Sequence, residues 1–394
     1  MSTKRMSGLW TVLFKELREF SRDRRTLLLA LVLGPVLTPA LIIGLSTMAE
    51  NRAKSQIEKP LAIAIVGAER APNLVAWLAG QGIERKAFTG DPDAAIRSQD
   101  EDVYLKIGDD FAGHWRDGTP ALVEIVHDST RQDADIPVKR VEKALEAYRS
   151  QAGALRLLAR GINPGIAAPL AVSHKDLSTP EARKGLAMAF LPYLLILSAF
   201  IGGAYLIIDT TAGERERQSL EPLLATPAQR GAIVSGKIGA ACAVGLTSLL
   251  LTLVAFKIGA QFAPGIGRQM DVGVAAIARM LMILLPMLFI GTSLLTFISA
   301  GAKTMKEAQG YMPVLMLLPI VPTMALLVSP VKDQLWMMTV PFLAQNQMLL
   351  KVIRSEPIVA MEWTVYMAAG FGLAALLWFA ATRRYHQERL AISA

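Results

Sequence analysis

Hydrophobic and polar positions segregate along the chain on two scales. On the long scale, Thr26 to Ala49 is an uncharged apolar run. At ~1.5 Å per residue it is long enough to cross a hydrocarbon core of ~30 Å. Residues 50–184 then carry charge as densely as a soluble domain, and Gly185 to Thr382 is again mostly apolar. The pattern predicts an α-helical membrane protein with six transmembrane helices and an inserted extracytoplasmic α/β domain. The spans are expected at 27–49, 186–208, 232–256, 278–300, 311–329 and 362–382.

On the short scale, residues 1–26 have a helical period. Leu9, Trp10, Leu13, Phe14, Leu17 and Phe20 share one face, while Lys15, Glu16, Arg18, Glu19 and Arg22 point away. A basic amphipathic helix with aromatic residues on its apolar side lies in a membrane interface. Trp10, Phe14, Leu17 and Phe20 are its expected anchors. The apolar run behind it is too long for the core of a cleaved signal, so an uncleaved anchor is expected.

The insert, 50–184, alternates strand and helix signals. Strands are expected at 61–66, 83–88, 103–107, 121–127 and 167–172, and helices at 73–79, 91–97 and 136–160. Asp91 reads as a helix cap with Pro92 in the first turn. The stretch 335–352 is apolar but holds Pro341, Gln345, Asn346 and Gln347. It reads as a re-entrant or interfacial helix on the outer side, because polar backbone at membrane depth must be covered by protein or face a cavity.

Charge sets an orientation. Of the 41 Lys/Arg and 33 Asp/Glu in the chain, 19 and 20 fall in 50–184. The basic excess therefore flanks the apolar runs, which speaks against nucleic-acid binding. Segments 1–26, 209–231, 301–310 and 383–394 hold 15 basic residues in about 71 positions; the short loops on the other side hold 5 in about 53. The positive-inside rule places both termini in the cytoplasm and 50–184 outside.

No catalytic motif emerges. Gly231 to Ile238 matches a P-loop except at the last position, where magnesium needs Ser or Thr and the chain has Ile238. The histidines lack metal-ligand spacing, and acidic pairs such as Asp109-Asp110 read as solvated turns. Cys242, the one cysteine, reads as a small packing residue. No ionisable residue falls well inside an expected span; Asp209, Lys237, Lys257 and Arg279 lie near span ends, where long basic side chains can snorkel to water. Carriers driven by proton or sodium gradients place such a group near the midplane, so energy is expected from outside the chain.

The loop 209–231 offers a place for that energy to arrive. It begins densely charged and then presents Leu220, Leu223 and Leu224 between prolines, as a short helix docking into a partner's groove would. The run Glu214-Arg215-Glu216-Arg217-Gln218-Ser219-Leu220-Glu221-Pro222-Leu223-Leu224-Ala225-Thr226-Pro227, followed by Arg230 and Gly236-Lys237, resembles the cytoplasmic segment of ABC-2 type permeases, with the NatB-like sodium-efflux permeases as the nearest subgroup. The resemblance extends to the layout of nearly the whole chain and implies a type V exporter-like permease of the bacterial cytoplasmic (inner) membrane. It implies a non-catalytic subunit without a cofactor of its own. ATP and Mg would be bound by a separate ABC ATPase subunit, and a second permease protomer would complete a homo- or heterodimer. It assigns ATPase coupling to Glu214, Glu216, Leu220, Glu221, Pro222, Leu223, Leu224 and Pro227. The exported cargo stays open among sodium, a drug and a lipid-like molecule. A sodium path would rest on backbone carbonyls or on Asn346 and Thr side chains. The competing expectation is a membrane-anchored sensor or receptor whose extracytoplasmic domain binds a ligand.

Overall fold

The apolar run Leu61–Val66 forms β1, the first strand of a four-stranded sheet. The structure, a computed structural model, describes residues 2–88, 90–167, 170, 175, 188, 190–220, 222, 226, 228–262, 272–328 and 334–385. It separates into two compact units, Met48–Asp176 and Met1–Thr47 with Leu177–Ala394.

In the first unit the chain runs β1, α3 (Pro72–Gly80), β2 (Ile83–Lys86), α4 (Pro92–Arg97), β3 (Val103–Ile107), α5 (Phe111–Asp117), β4 (Val123–His127) and α6 (Asp135–Ala159). Strand order is β2-β1-β3-β4. β1 pairs in parallel with β2 (Leu61 opposite Ile83) and with β3 (Ala64 opposite Tyr104), and β4 closes the edge antiparallel (Leu105 opposite Ile125). Two parallel pairings demand crossovers, which α3 and α4 supply. Side chains alternate between faces. Ile63, Ile65, Leu105 and Ile107 pack with Leu74 and Leu78 of α3 and Val138 and Val141 of α6. The opposite face joins Ala64 and Tyr104 to Ile96 of α4. Asp91 caps α4, its carboxylate accepting from the Asp93 N–H at 3.0 Å.

Helix α5 is not among the expected elements. Its seven residues include Gly113 and are too few to display a helical period, and Asp109 beside it pairs with Arg70 at 2.7 Å. Of the strand expected at 167–172, residues 168, 169, 171 and 172 lie outside the described residues.

The second unit begins with α1 (Ser2–Arg22) and the greater part of α2, which runs through Arg24–Leu28, a π-wound turn Leu29–Leu33, and Gly34–Glu58, its residues from Met48 onward belonging to the first unit. Next comes α7, made of Leu191–Ile201, Ala204–Ile208, a π-wound Asp209–Gly213 and Glu214–Glu216. Then follow α8 (Arg230–Phe262), α9 (Val274–Ser299), α10 (Met305–Gly310), α11 (Met312–Leu317), α12 (Ile320–Val328), α13 (Leu343–Ile353) and α14 (Ala360–Tyr385). Helix α9 is the hub, touching α7, α8, α13 and α14. It approaches α7 so closely that a Cβ on Gly291 would sit 2.1 Å from the Phe200 carbonyl oxygen, so only glycine fits.

Five described helices are long and apolar enough to cross a membrane: Arg24–Arg52, Leu191–Glu216, Arg230–Phe262, Val274–Ser299 and Ala360–Tyr385. The span expected at 311–329 is instead the broken pair α11 and α12. Pro319 stands at the break, where it has no N–H to donate and clashes with the preceding turn. The helix expected at 335–352 is a 3₁₀ turn, Leu335–Thr339, followed by α13. Pro341 and Phe342, the latter at φ 66°, separate the two. The three amides Gln345, Asn346 and Gln347 are buried, and Asn346 donates to Thr323 Oγ1 at 3.1 Å.

Candidate functional site

The expected span at 186–208 overshoots its polar end. Helix α7 continues to Glu216, so the first third of the charged loop is helical, and Thr210 to Glu214 are buried. The polar side chains there satisfy themselves locally. Thr210 Oγ1 donates to the Leu206 carbonyl at 2.7 Å, and Thr211 Oγ1 donates to the Ile207 carbonyl. Arg217 braces the π-wound turn, its Nη1 on Asp209 Oδ1 at 3.0 Å and its Nη2 on the Asp209 carbonyl at 3.2 Å.

Glu214 cannot satisfy itself in this way. Its carboxylate meets Lys237, eight positions into the Arg230–Phe262 helix counted from its first residue and 0% exposed. Lys237 Nζ lies 2.8 Å from Glu214 Oε1 and 3.2 Å from Glu16 Oε1 of α1, and donates to the Thr210 carbonyl at 2.7 Å. Those three acceptors match the three donors of an ammonium group. Contrary to the expectation from sequence, Lys237 does not snorkel to water; it is a buried cation held by two carboxylates and a carbonyl. Lys15 adds a second cation at the edge, 3.3 Å from Glu16, 3.5 Å from Glu214 and 3.5 Å from Glu19. Burial pulls its ammonium pKa down, but the carboxylates of Glu16, Glu214 and Glu19 together outweigh that and leave it raised.

With Glu19 exposed to solvent, the two lysines balance the buried Glu16 and Glu214, as a low-dielectric site requires. One oxygen of each carboxylate, Glu16 Oε2 and Glu214 Oε2, has no partner among the described residues, and neither has the buried Tyr385 hydroxyl.

Glu16 also corrects the reading of α1. Val12, Glu16 and Phe20 repeat every fourth residue and are all buried, so Glu16 belongs to the packed stripe rather than to the solvated face. That stripe lies on α8, and a Cβ on Gly236 would come within 2.7 Å of Val12 Cβ. Trp10 and Phe14, stacked with ring centroids 5.8 Å apart, are exposed, and Leu17 is half-buried. The stretch resembling a P-loop is thus helical, with Gly236 spent on helix packing and Lys237 on ion pairing.

Other polar segments join at this end of the bundle. Arg215 Nη1 donates to the Ala302 carbonyl at 3.2 Å, and Glu216 Oε2 accepts from the Met305 N–H of α10 at 2.8 Å. Arg230 Nη1 reaches the Tyr385 carbonyl at 3.2 Å, and Arg384 Nη1 the Phe297 carbonyl at 3.1 Å. Residues from all four basic segments found in the sequence therefore touch one another or the same helices.

Of the expected coupling residues, Glu214 sits inside the ion cluster and Glu216 ties down α10. Leu220 is buried in the main core. Pro222 is exposed and, with Lys15, Glu19, Asp209, Arg217 and Thr226, lines a cleft of about 410 Å³. Glu221, Leu223, Leu224 and Pro227 lie outside the described residues. Sequence reasoning missed Glu16, Lys237 and Lys15. The available signal was a lone lysine inside an apolar helix, which is costly unless paired.

Residues 24–381 match the family described as ABC-2 family transporter protein. A curated relative is the ABC transporter permease protein NatB of Bacillus subtilis (strain 168), 28% identical over 317 residues, which cover 78% of this chain and 80% of that protein.

Proposed function

Because the chain belongs to the ABC-2 family of transporter proteins, and so is a multi-pass membrane permease of an ABC transporter, we propose that it converts ATP hydrolysis on a separate ATPase subunit into export of a substrate. Both termini and residues 209–231 face the cytoplasm, 50–184 faces the outside, and two permease protomers form the pore. The broken pair α11 and α12 serves as the sixth crossing. Trp10 and Phe14 rest in the membrane interface, since amphipathic aromatics favour that depth.

One observation carries the reading. Lys237 on α8 bonds both Glu214 and the Thr210 carbonyl on α7, and also Glu16 on α1. A push on the surface segment around Pro222 displaces the end of α7. The buried ion cluster then passes that displacement to α1 and α8, because separating any member strands a charge away from water. Leu220, rooted in the core, makes the segment a lever rather than a slack linker. The ATPase therefore docks on the residues beyond Leu220, and Glu214 transmits rather than docks.

The test is co-purification with ABC ATPase subunits of the source organism, followed by hydrolysis assays in nanodiscs. Glu221→Lys and Leu224→Asp are expected to abolish assembly. Glu214→Gln is expected to keep assembly but to lose most of the permease-stimulated hydrolysis. Full assembly and full stimulation in all three variants would refute the scheme.

A further inference from the structure

The α/β unit holds a cleft that transport coupling does not use. Helices α3 and α6 cover the sheet over β1 and β3, where Leu78, Leu105 and Val141 are fully buried. Toward β4 the cover ends. Val123 and Ile125 point to the same face but stay half-buried, and a cleft of about 950 Å³ opens between β4, α5 and α6. Ligand cavities for small organic molecules span about 300–1,000 Å³.

Its wall is aromatic. Phe111 stacks on Trp115 at 5.6 Å and 12°, and Trp115 stacks on Tyr148 at 5.7 Å and 21°. Above Trp115 stands the Arg156 guanidinium, 4.1 Å from the ring centroid, its Nη2 donating to the Trp115 carbonyl at 2.6 Å. The arginine is therefore fixed twice, by its plane and by one hydrogen bond. Of its five donors, the described bonds use one. The rim carries Lys139, Lys143, Arg149 and Arg156 against Glu142 and Glu146, a balance of +2, and Glu146 is already paired with Arg149 at 2.7 Å.

We propose that this cleft binds a small, flat, apolar molecule bearing one anionic group. The body lies along Val123, Ile125 and the aromatic wall, and the anion meets Arg156, with Lys139 and Lys143 drawing it in. A fixed guanidinium beside an aromatic face favours a flat molecule bearing an oxyanion over one bearing a cation. The rim charge disfavours cationic ligands of the same shape.

The probe is naphthalene-2-sulfonate, titrated by calorimetry into the full-length protein in nanodiscs, with empty nanodiscs subtracted. The matched cation 2-naphthylmethylammonium is the control. Saturable binding of the sulfonate and none of the amine is expected. Arg156→Gln should weaken it about tenfold, as loss of a charge-assisted bond does. Lys143→Glu, an exposed change that leaves the core intact, should weaken it about threefold by reversing one rim charge. The proposal falls if the sulfonate gives no heat beyond empty nanodiscs, if the amine binds equally well, or if neither variant changes the affinity.

Discussion

The two units of this protein treat charge in opposite ways. In the α/β unit, ion pairs keep at least one partner in solvent, and in Arg149 with Glu146 and Lys106 with Glu124 both partners are exposed. Its interior, built on Leu74, Leu78 and Leu105, is apolar. In the helical unit, by contrast, Lys237 and Glu16 are taken fully out of solvent and Glu214 nearly so. Exposed pairs contribute ~0–1 kcal/mol and can be lost quietly. A buried cluster instead makes each member depend on the others, because separating them strands a charge away from water. The same residue types thus decorate one unit and mechanically join the other.

The largest expected effect comes from breaking the join. Lys237→Met should destabilise the helical unit by about 3–5 kcal/mol, because it leaves two buried carboxylates with Lys15 alone. Adding Glu214→Gln should recover part of that loss, since an uncompensated charge is removed with it. Thermal unfolding in nanodiscs reads both variants. A single variant as stable as the parent would mean that the cluster is no more important than a surface pair.

Next in size is an apolar truncation in the other unit. Leu78→Ala, at a fully buried position under the sheet, should cost about 2–5 kcal/mol through lost burial and a residual cavity. Hydrogen exchange should show the loss confined to 61–159. Equal loosening around Lys237 would erase the distinction between the units.

The smallest effect sharpens the comparison through pH. The Tyr104 hydroxyl donates to Asp93, and burial first, then Asp93, pushes the phenol up to about 12. A raised folded-state value stabilises the neutral form. That stability is complete below the unfolded value of ~10 and is lost as pH climbs toward 12. Tyr104→Phe should cost ~1 kcal/mol at neutral pH and flatten the alkaline fall between about pH 10 and 12. Melting temperatures of the two proteins across that range check it.

Legibility differed between the units for a physical reason. Strands β1 and β3 and the long α6 stand where the apolar pattern put them, because alternation and helical period are local signals. Helix α5 was too short to register, and with it the aromatic wall of the cleft was hidden. In the helical unit, the family resemblance drew attention to Glu214 and Leu220, and both turned inward. A charged loop and a charged helix end look alike in sequence until the partner that neutralises them is in view.

Sequence alone determined which stretches are apolar, which charged segment alternates strand and helix signals, and where basic residues gather, since hydropathy and charge density are properties of neighbours in the chain. Tertiary structure decided that α7 carries the loop's first residues into the interior, that a break at Pro319 separates α11 from α12, and that Lys237 is paired. Its partners stand 221 positions away at Glu16 and 27 away at Thr210. Contacts at such separations depend on how helices pack, and no local pattern encodes that.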